Sequence, residues 1–156
     1  MKSSAGILLF RRKNGFVEVF LVHPGGPFWA KKDLAAWSIP KGEYLEPEHP
    51  FAAAKRELEE ETGLAADGEF LPLGELKQSS SKRIKAWALE YDFDAAAIKS
   101  NSFMLEWPPR SGKMQEFPEV DRGEWFSLPD ARLKLLSGQG PFLTRLVETL
   151  VGTDAE

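Results

Sequence analysis

Hydrophobic positions along the chain come mostly in short runs at strand spacing, interrupted once by a polar stretch at helical spacing. Ser4–Arg11 is short and continuously apolar at its centre, the pattern of a buried strand. Asn14-Gly15 is a hairpin signal, and Val17–Val22 supplies the antiparallel neighbour. His23–Asp33 is a loop, and Ala36–Pro40 a short strand in which Trp37 and Ile39 alternate with Ser38. Phe70–Gln78 and Ile84–Phe93 read as two strands joined by Ser79–Arg83. In the second, Ile84, Ala86, Ala88 and Glu90 share one face, and Lys85, Trp87, Leu89 and Tyr91 the other. Asp94–Ser102 is a helical or irregular excursion. Ser102–Trp107 is a strand ended by Pro108-Pro109, and Arg110–Lys113 a loop. Ser127 or Asp130 can cap a helix that Leu133, Leu135 and Leu136 carry to Gly138. Pro141–Leu150 is a second amphipathic helix, with Phe142, Leu143, Leu146, Val147 and Leu150 inward. The two terminal helices are expected to cover one side of the sheet.

The helical interruption lies within Gly42–Leu64. Pro47 and Pro50 break regular structure before it, and Pro50 suits the first turn, where its missing N–H costs nothing. Ala52 to Leu58 are strong helix formers. Gly63 supplies a left-handed stop, with Leu64 packing back. At about 100° per residue, Glu57, Glu60 and Glu61 share one arc with Ala53. Phe51, Ala54 and Leu58 form an adjacent apolar arc. Lys55 and Glu59 point to solvent, so Glu59 stands outside the cluster although it sits in the acidic run.

Length and composition change this picture little. The 156 residues suit one domain over 1–156 with a core of its own. A net charge of −4 gives no bulk attraction for a nucleic-acid polymer, so phosphate binding needs local basic groups or a metal. The absence of cysteine removes disulfides and thiolate metal sites. No apolar run approaches membrane-spanning length, and the first residues lead into a strand without a signal-like apolar region. No membrane association and a cytoplasmic location are the expectations.

Three carboxylates on one arc repel by about 0.2–0.5 kcal/mol per neighbouring pair. A hard divalent cation turns that cost into affinity, because Mg²⁺ takes carboxylate oxygens and keeps waters for a phosphate substrate. A solvated acidic helix face is the plainer account of such a run taken alone. The run does not stand alone. Gly42, Glu48, Arg56-Glu57-Leu58, Glu60-Glu61 and Gly63-Leu64 fall at the spacing G-x5-E-x7-R-E-(apolar)-x-E-E-x-G-(apolar). This resembles the signature of the Nudix hydrolases at every position. Pro40-Lys41-Gly42-Glu43 resembles a subset acting on highly phosphorylated compounds, and Glu124–Ala131 resembles the last strand and helix start common in the family.

The resemblance implies an α/β fold, a Nudix-type α/β/α sandwich with a mixed β-sheet. It also implies hydrolysis of a phosphoanhydride in a nucleoside diphosphate linked to another group. In that reading Glu57, Glu60 and Glu61 hold Mg²⁺ or Mn²⁺, the Gly42 region lends a carbonyl, and Glu61 or Glu119 takes the proton from water. Arg56 pairs with Glu48 or Glu57 and orients a ligand. Many relatives use an added carboxylate before the last strand, for which Glu119 is preferred here over Glu116. Lys41 beside the metal loop, and Arg83 and Lys85 near a strand start, are candidates for substrate phosphate, with solvation as the alternative. The same two readings apply to Arg11, Arg12 and Lys13. Phe28 and Trp29 either cap the core or wall a pocket, and Trp87 is either core or a stacking platform. His23, with no second histidine at ligand spacing, reads as structural, and His49 as exposed. A dinucleoside polyphosphate or a nucleoside triphosphate is the expected substrate, acted on by a monomer or homodimer. The competing readings are a non-catalytic Nudix-like domain binding nucleotide or protein, and a diphosphoinositol polyphosphate hydrolase.

Overall fold

A computed structural model describes residues 1–154. Eight strands and three helices follow in the order β1 (Lys2–Lys13), β2 (Phe16–Pro24), β3 (Lys41–Glu43), α1 (Pro50–Thr62), β4 (Phe70–Ser79), β5 (Lys82–Glu90), β6 (Ser102–Glu106), β7 (Met114–Pro118), β8 (Val120–Ser127), α2 (Leu128–Lys134) and α3 (Gly140–Asp154). The main sheet runs β4-β5-β1-β2-β8, with β3 paired to β1. It is mixed: β1 and β5 are parallel and the other pairs antiparallel.

The apolar run of β1 is explained by burial on both faces. Ala5, Ile7 and Leu9 face Ala53, Ala54 and Leu58 of α1. Leu8 and Phe10 face the opposite layer, where Ala131 of α2 and Phe142, Leu143 and Leu146 of α3 close the core. The alternation in β5 divides the same way, Ile84, Ala86 and Ala88 toward α2 and α3 and Leu89 and Trp87 toward α1. The sandwich is therefore helix, sheet, helix, with the terminal helices on one side as expected.

One irregularity of the sheet creates the site. β1 pairs with β2 only from Phe10 to Lys13. At the other end of the same edge its residues Ser4–Gly6 pair with β3. Between them the segment Trp37–Pro40 enters the sheet. Ser38 exchanges backbone hydrogen bonds with Val22, Pro40 O accepts from Ile7 N–H at 3.1 Å, and Trp37 bridges to Leu135. The regular strand expected over Ala36–Pro40 is thus reduced to single bridges, because its neighbours diverge on either side. The same bridge ends α2 at Lys134, short of the expected Gly138. Trp37 N–H donates to Lys134 O and Leu136 N–H to Trp37 O, so Leu135, whose N–H still reaches Ala131 O, is the last residue held by the helix and Leu136 pairs with Trp37 instead. β5 stops at Glu90, before the expected Phe93, although Tyr91 N–H still reaches Phe10 O at 3.0 Å.

β6 and β7 form a separate two-stranded sheet. Its attachment is local. Gly25 N–H donates to Glu119 O at 2.9 Å, Phe103 lies over Gly26, and Phe28 meets Trp107 edge-on at 5.3 Å. No helix among the described residues is long and apolar enough to cross a membrane.

Candidate functional site

Helix α1 presents the acidic arc. His49 is exposed, as its position in the sequence suggests, and also caps the helix, its Nδ1 accepting from Phe51 N–H at 3.2 Å. Pro50 occupies the first turn. Gly63 adopts φ 79° and its N–H closes on Glu59 O at 2.7 Å, the left-handed stop that a side chain would strain. With both ends fixed, the apolar arc of Ala54 and Leu58 faces the sheet, and Lys55 and Glu59 are exposed.

Glu57 is buried at 8% exposure. Its carboxylate lies directly over Gly42: a Cβ at that position would stand 2.0 Å from Glu57 Cδ. Only glycine lets the β3 backbone come this close. Arg56 reaches round the helix as a fork. It donates to Glu48 at 2.8 and 2.9 Å, to Glu57 at 2.8 Å and to both oxygens of Glu60 at 3.2 Å. The pairing expected with Glu48 or Glu57 includes both, and Glu60 besides. Glu61 takes the N–H of Lys41 on Oε1 at 3.3 Å.

Glu119 is 58 positions beyond Glu61, and backbone hydrogen bonds bring it alongside. Lys99 N–H donates to Thr62 O at 2.8 Å and Asn101 N–H to Glu60 O at 2.7 Å. Glu119 N–H then donates to Asn101 O at 2.8 Å. The segment after β5 thus ties the end of α1 to the turn between β7 and β8. Glu119, Glu61 and Lys41 line one cavity of about 170 Å³, whose other walls are Val22, Pro24, Trp29, Val120, Leu136 and Ser38. Glu60 and Arg56 line a second groove with Lys99 and Asn101, and the exposed Glu59 lies on its wall too. Glu116 is exposed on β7, opposite Met104 of β6.

The electrostatics follow from this placement. Burial pushes the Glu57 carboxyl up, opposed by the hydrogen bond from Arg56. Burial pushes Glu61 up to about 8, opposed by the Lys41 N–H and its charge. Glu119 is raised by burial and then by the negative charge of Glu60. Arg56 holds Glu48 below the usual carboxylate range and is itself stabilised as a cation, chiefly by Glu48. Partly dried carboxylates that raise one another are the donor set a hard divalent cation rewards. The glycine cradle beneath Glu57 fits the same purpose. Among the described residues no three acidic or imidazole side chains are already gathered as a metal site, and Arg56 takes up Glu57 and Glu60 instead.

The other candidates lie elsewhere. Arg83 donates to Ser3 Oγ at 3.0 Å, pairs with Glu75 at 3.3 Å and lines a separate cleft with Glu43 and Tyr44. Lys85 is exposed on β5, across from Glu75. Arg11 is held by Glu18 and Asp92 and lies over Trp125. His23 is structural: fully buried, it meets Asp121 at 2.9 Å and Lys32 O at 2.7 Å, with Trp37 edge-on at 5.1 Å. Trp29 both packs on the core and walls the cavity, whereas Phe28 is 60% exposed. Trp87 packs against the α1 layer, with Phe51 at 5.1 Å. Ser38 and Gln139 carry no sequence signal of a role. Only the fold shows that Ser38 reaches the cavity and that Gln139 is buried behind it.

The fold and the acidic helix over a glycine-bearing strand define a Nudix-type domain. The family model for the NUDIX domain matches residues 1–146, and the chain belongs to this family. No curated protein matches the sequence. Solved structures share the fold. An Ap4A hydrolase of C. elegans in a binary complex is 19% identical, with 97% of this chain and 99% of that one covered and a TM-score of 0.66. The NUDIX domain of Shewanella oneidensis NrtR, complexed with ADP ribose, is 16% identical over 95% and 87%, with a TM-score of 0.66. A mutT/nudix family protein from Listeria innocua is 19% identical over 99% and 96%, with a TM-score of 0.65.

Proposed function

We propose that the protein is a divalent-metal-dependent hydrolase of phosphoanhydride bonds. Its substrate is a nucleoside diphosphate linked to another group, a dinucleoside polyphosphate or a nucleoside triphosphate. The observation that carries this reading is the meeting of Glu61 and Glu119 in one cavity, beside Lys41, with Glu57 seated over Gly42 and the charge of Glu60 felt by Glu119. Glu57, Glu60 and Glu61, with backbone near Gly42, would hold Mg²⁺ or Mn²⁺. Such an ion offsets charge on the non-bridging phosphate oxygens and acidifies the attacking water.

The chain's own groups do the rest. Water oxygen bonds to phosphorus as the bridging P–O bond breaks, and the water proton passes to a carboxylate. Glu61 and Glu119 are the two acceptors in reach of the cavity, and burial raises the proton affinity of both. Arg56 orients Glu57 and Glu60, the supporting task that carboxylate ligands require. Lys41, a flexible point charge on the cavity wall, would meet a phosphate oxygen.

The test is phosphate or nucleoside monophosphate release with Mg²⁺ across a substrate panel. It holds dinucleoside polyphosphates, nucleoside triphosphates, ADP-ribose and diphosphoinositol phosphates, beside Glu60→Gln and Glu61→Gln. Turnover of one nucleotide class, reduced about 100-fold or more in folded variants, is the expected result. Turnover unaffected by both substitutions would overturn the carboxylate mechanism. No turnover of any compound by a folded protein that binds Mn²⁺ would favour a binding domain.

A further inference from the structure

Gln139 ends the five-residue connection, 135–139, between α2 and α3, far in sequence from the acidic helix, yet it is fully buried. Its side chain reaches the irregular segment that enters the sheet. Oε1 accepts the N–H of Ile39 at 3.1 Å, and Nε2 donates to Ser38 Oγ at 3.0 Å. Ser38 Oγ in turn donates to Ile39 O at 2.7 Å. Ile39 is itself fully buried, so without Gln139 its N–H would face no acceptor in a dry interior.

The same segment continues into the site. Pro40 O is held by Ile7 N–H, Lys41 N–H reaches Glu61, and Gly42 lies beneath Glu57. Ser38 and Lys41 both line the cavity. Trp37–Pro40 has only single bridges to its neighbours, and a ladder with β1 begins only at Lys41. We infer that Gln139 is a positioning residue, which sets the height of Ser38–Pro40 where they lead into Lys41, and through the Lys41 N–H the seat of Glu61. This inference rests on the metal-dependent reading of the site.

The experiment compares the wild type with Gln139→Met, which keeps length and loses both hydrogen bonds, and with Ser38→Ala, which loses only the Ser38 contact. Mn²⁺ affinity is measured by electron paramagnetic resonance, and backbone exchange of Ile39 and Lys41 by NMR, both well below the unfolding temperature. Kinetic constants are taken on whichever panel compound turns over. In Gln139→Met, Mn²⁺ affinity is expected to fall about tenfold or more, the effect of supporting hydrogen bonds on ligand carboxylates. Ile39 and Lys41 exchange faster while β1 amides keep their protection, and kcat falls more than KM rises. Ser38→Ala gives a smaller change in the same direction. A Gln139→Met protein that melts earlier but keeps wild-type Mn²⁺ affinity, kcat and Lys41 protection would show a purely structural glutamine and overturn the inference. A wild type that binds no Mn²⁺ fails the reading beneath it, and the inference falls with that reading.

Discussion

A carboxylate seated on a glycine Cα is a contact that a single methyl group abolishes. In Gly42→Ala the new Cβ would overlap Glu57 Cδ at 2.0 Å. The atom that must yield is the end of a flexible side chain, so stability should change little while the site is disturbed. The expected outcome is an urea midpoint close to wild type with Mn²⁺ affinity lowered about 10–100-fold. Unchanged Mn²⁺ binding would show that Glu57 needs no such seat. Glu61 makes the complementary case. Its carboxyl is raised from 4.5 to about 8. Between those values the folded state holds a proton that the unfolded state has released. Stability contributed by this group is therefore present below about pH 4.5 and lost as pH rises toward 8. In metal-free protein Glu61→Gln removes that loss. The urea midpoint of the variant should exceed the wild type by a margin that grows from pH 5 to pH 8. Parallel pH profiles would exclude the burial of Glu61 as its cause. Both are glutamates of one acidic run, and helical spacing alone tells Glu61 from Glu59. The helix rotation turns one to the cavity and the other to solvent.

At the scale of the element, α1 separates stability from function by face. Leu58 is 1% exposed against the sheet, and Leu58→Ala should cost about 2–5 kcal/mol through lost burial and the cavity left behind. Glu59 is exposed, and Glu59→Gln should leave both stability and turnover near wild type. Denaturant unfolding beside the activity panel checks both, and a large loss of activity in Glu59→Gln would contradict the assigned face. This helix was legible because its pattern is local. Proline, helix formers at 3.6-residue spacing and a terminal glycine each act within a turn or two. The end of α2 was not legible. Leu135 and Leu136 continue a helical pattern, but Trp37, about a hundred residues earlier, takes the Lys134 carbonyl and the Leu136 N–H.

At the scale of the molecule, order should be uneven. The main sheet is covered on both faces, whereas β6 and β7 pair only with each other. Two strands alone are marginal in water. Their amides should exchange at least about 100-fold faster than those of β1, which hydrogen exchange with mass spectrometry would read. Equal protection would mean that the contacts at Gly26 and Phe28 secure the hairpin as firmly as the core. Within the main sheet, the apolar runs and turns of β1, β2, β4 and β5 and the shared side of the two terminal helices could be read in advance. Such features depend on periodicity and on nearest neighbours along the chain.

The sequence by itself determined the acidic helix, its stops, the membership of Glu57, Glu60 and Glu61 in one arc, and the family, because all of these are encoded within 23 contiguous residues. It also marked β1 as a buried strand, and the resemblance implied the mixed α/β fold around it. Only the tertiary structure decided that Glu119, and not Glu116, stands beside Glu61. It also decided that Arg56 gathers three carboxylates, that Arg83 lies in another cleft, and that Gln139 supports the strand leading to Gly42. The places of Glu119, Arg83 and Gln139 depend on which segments distant in the chain meet. That is fixed by hydrogen bonds between segments up to a hundred residues apart, which no local spacing records.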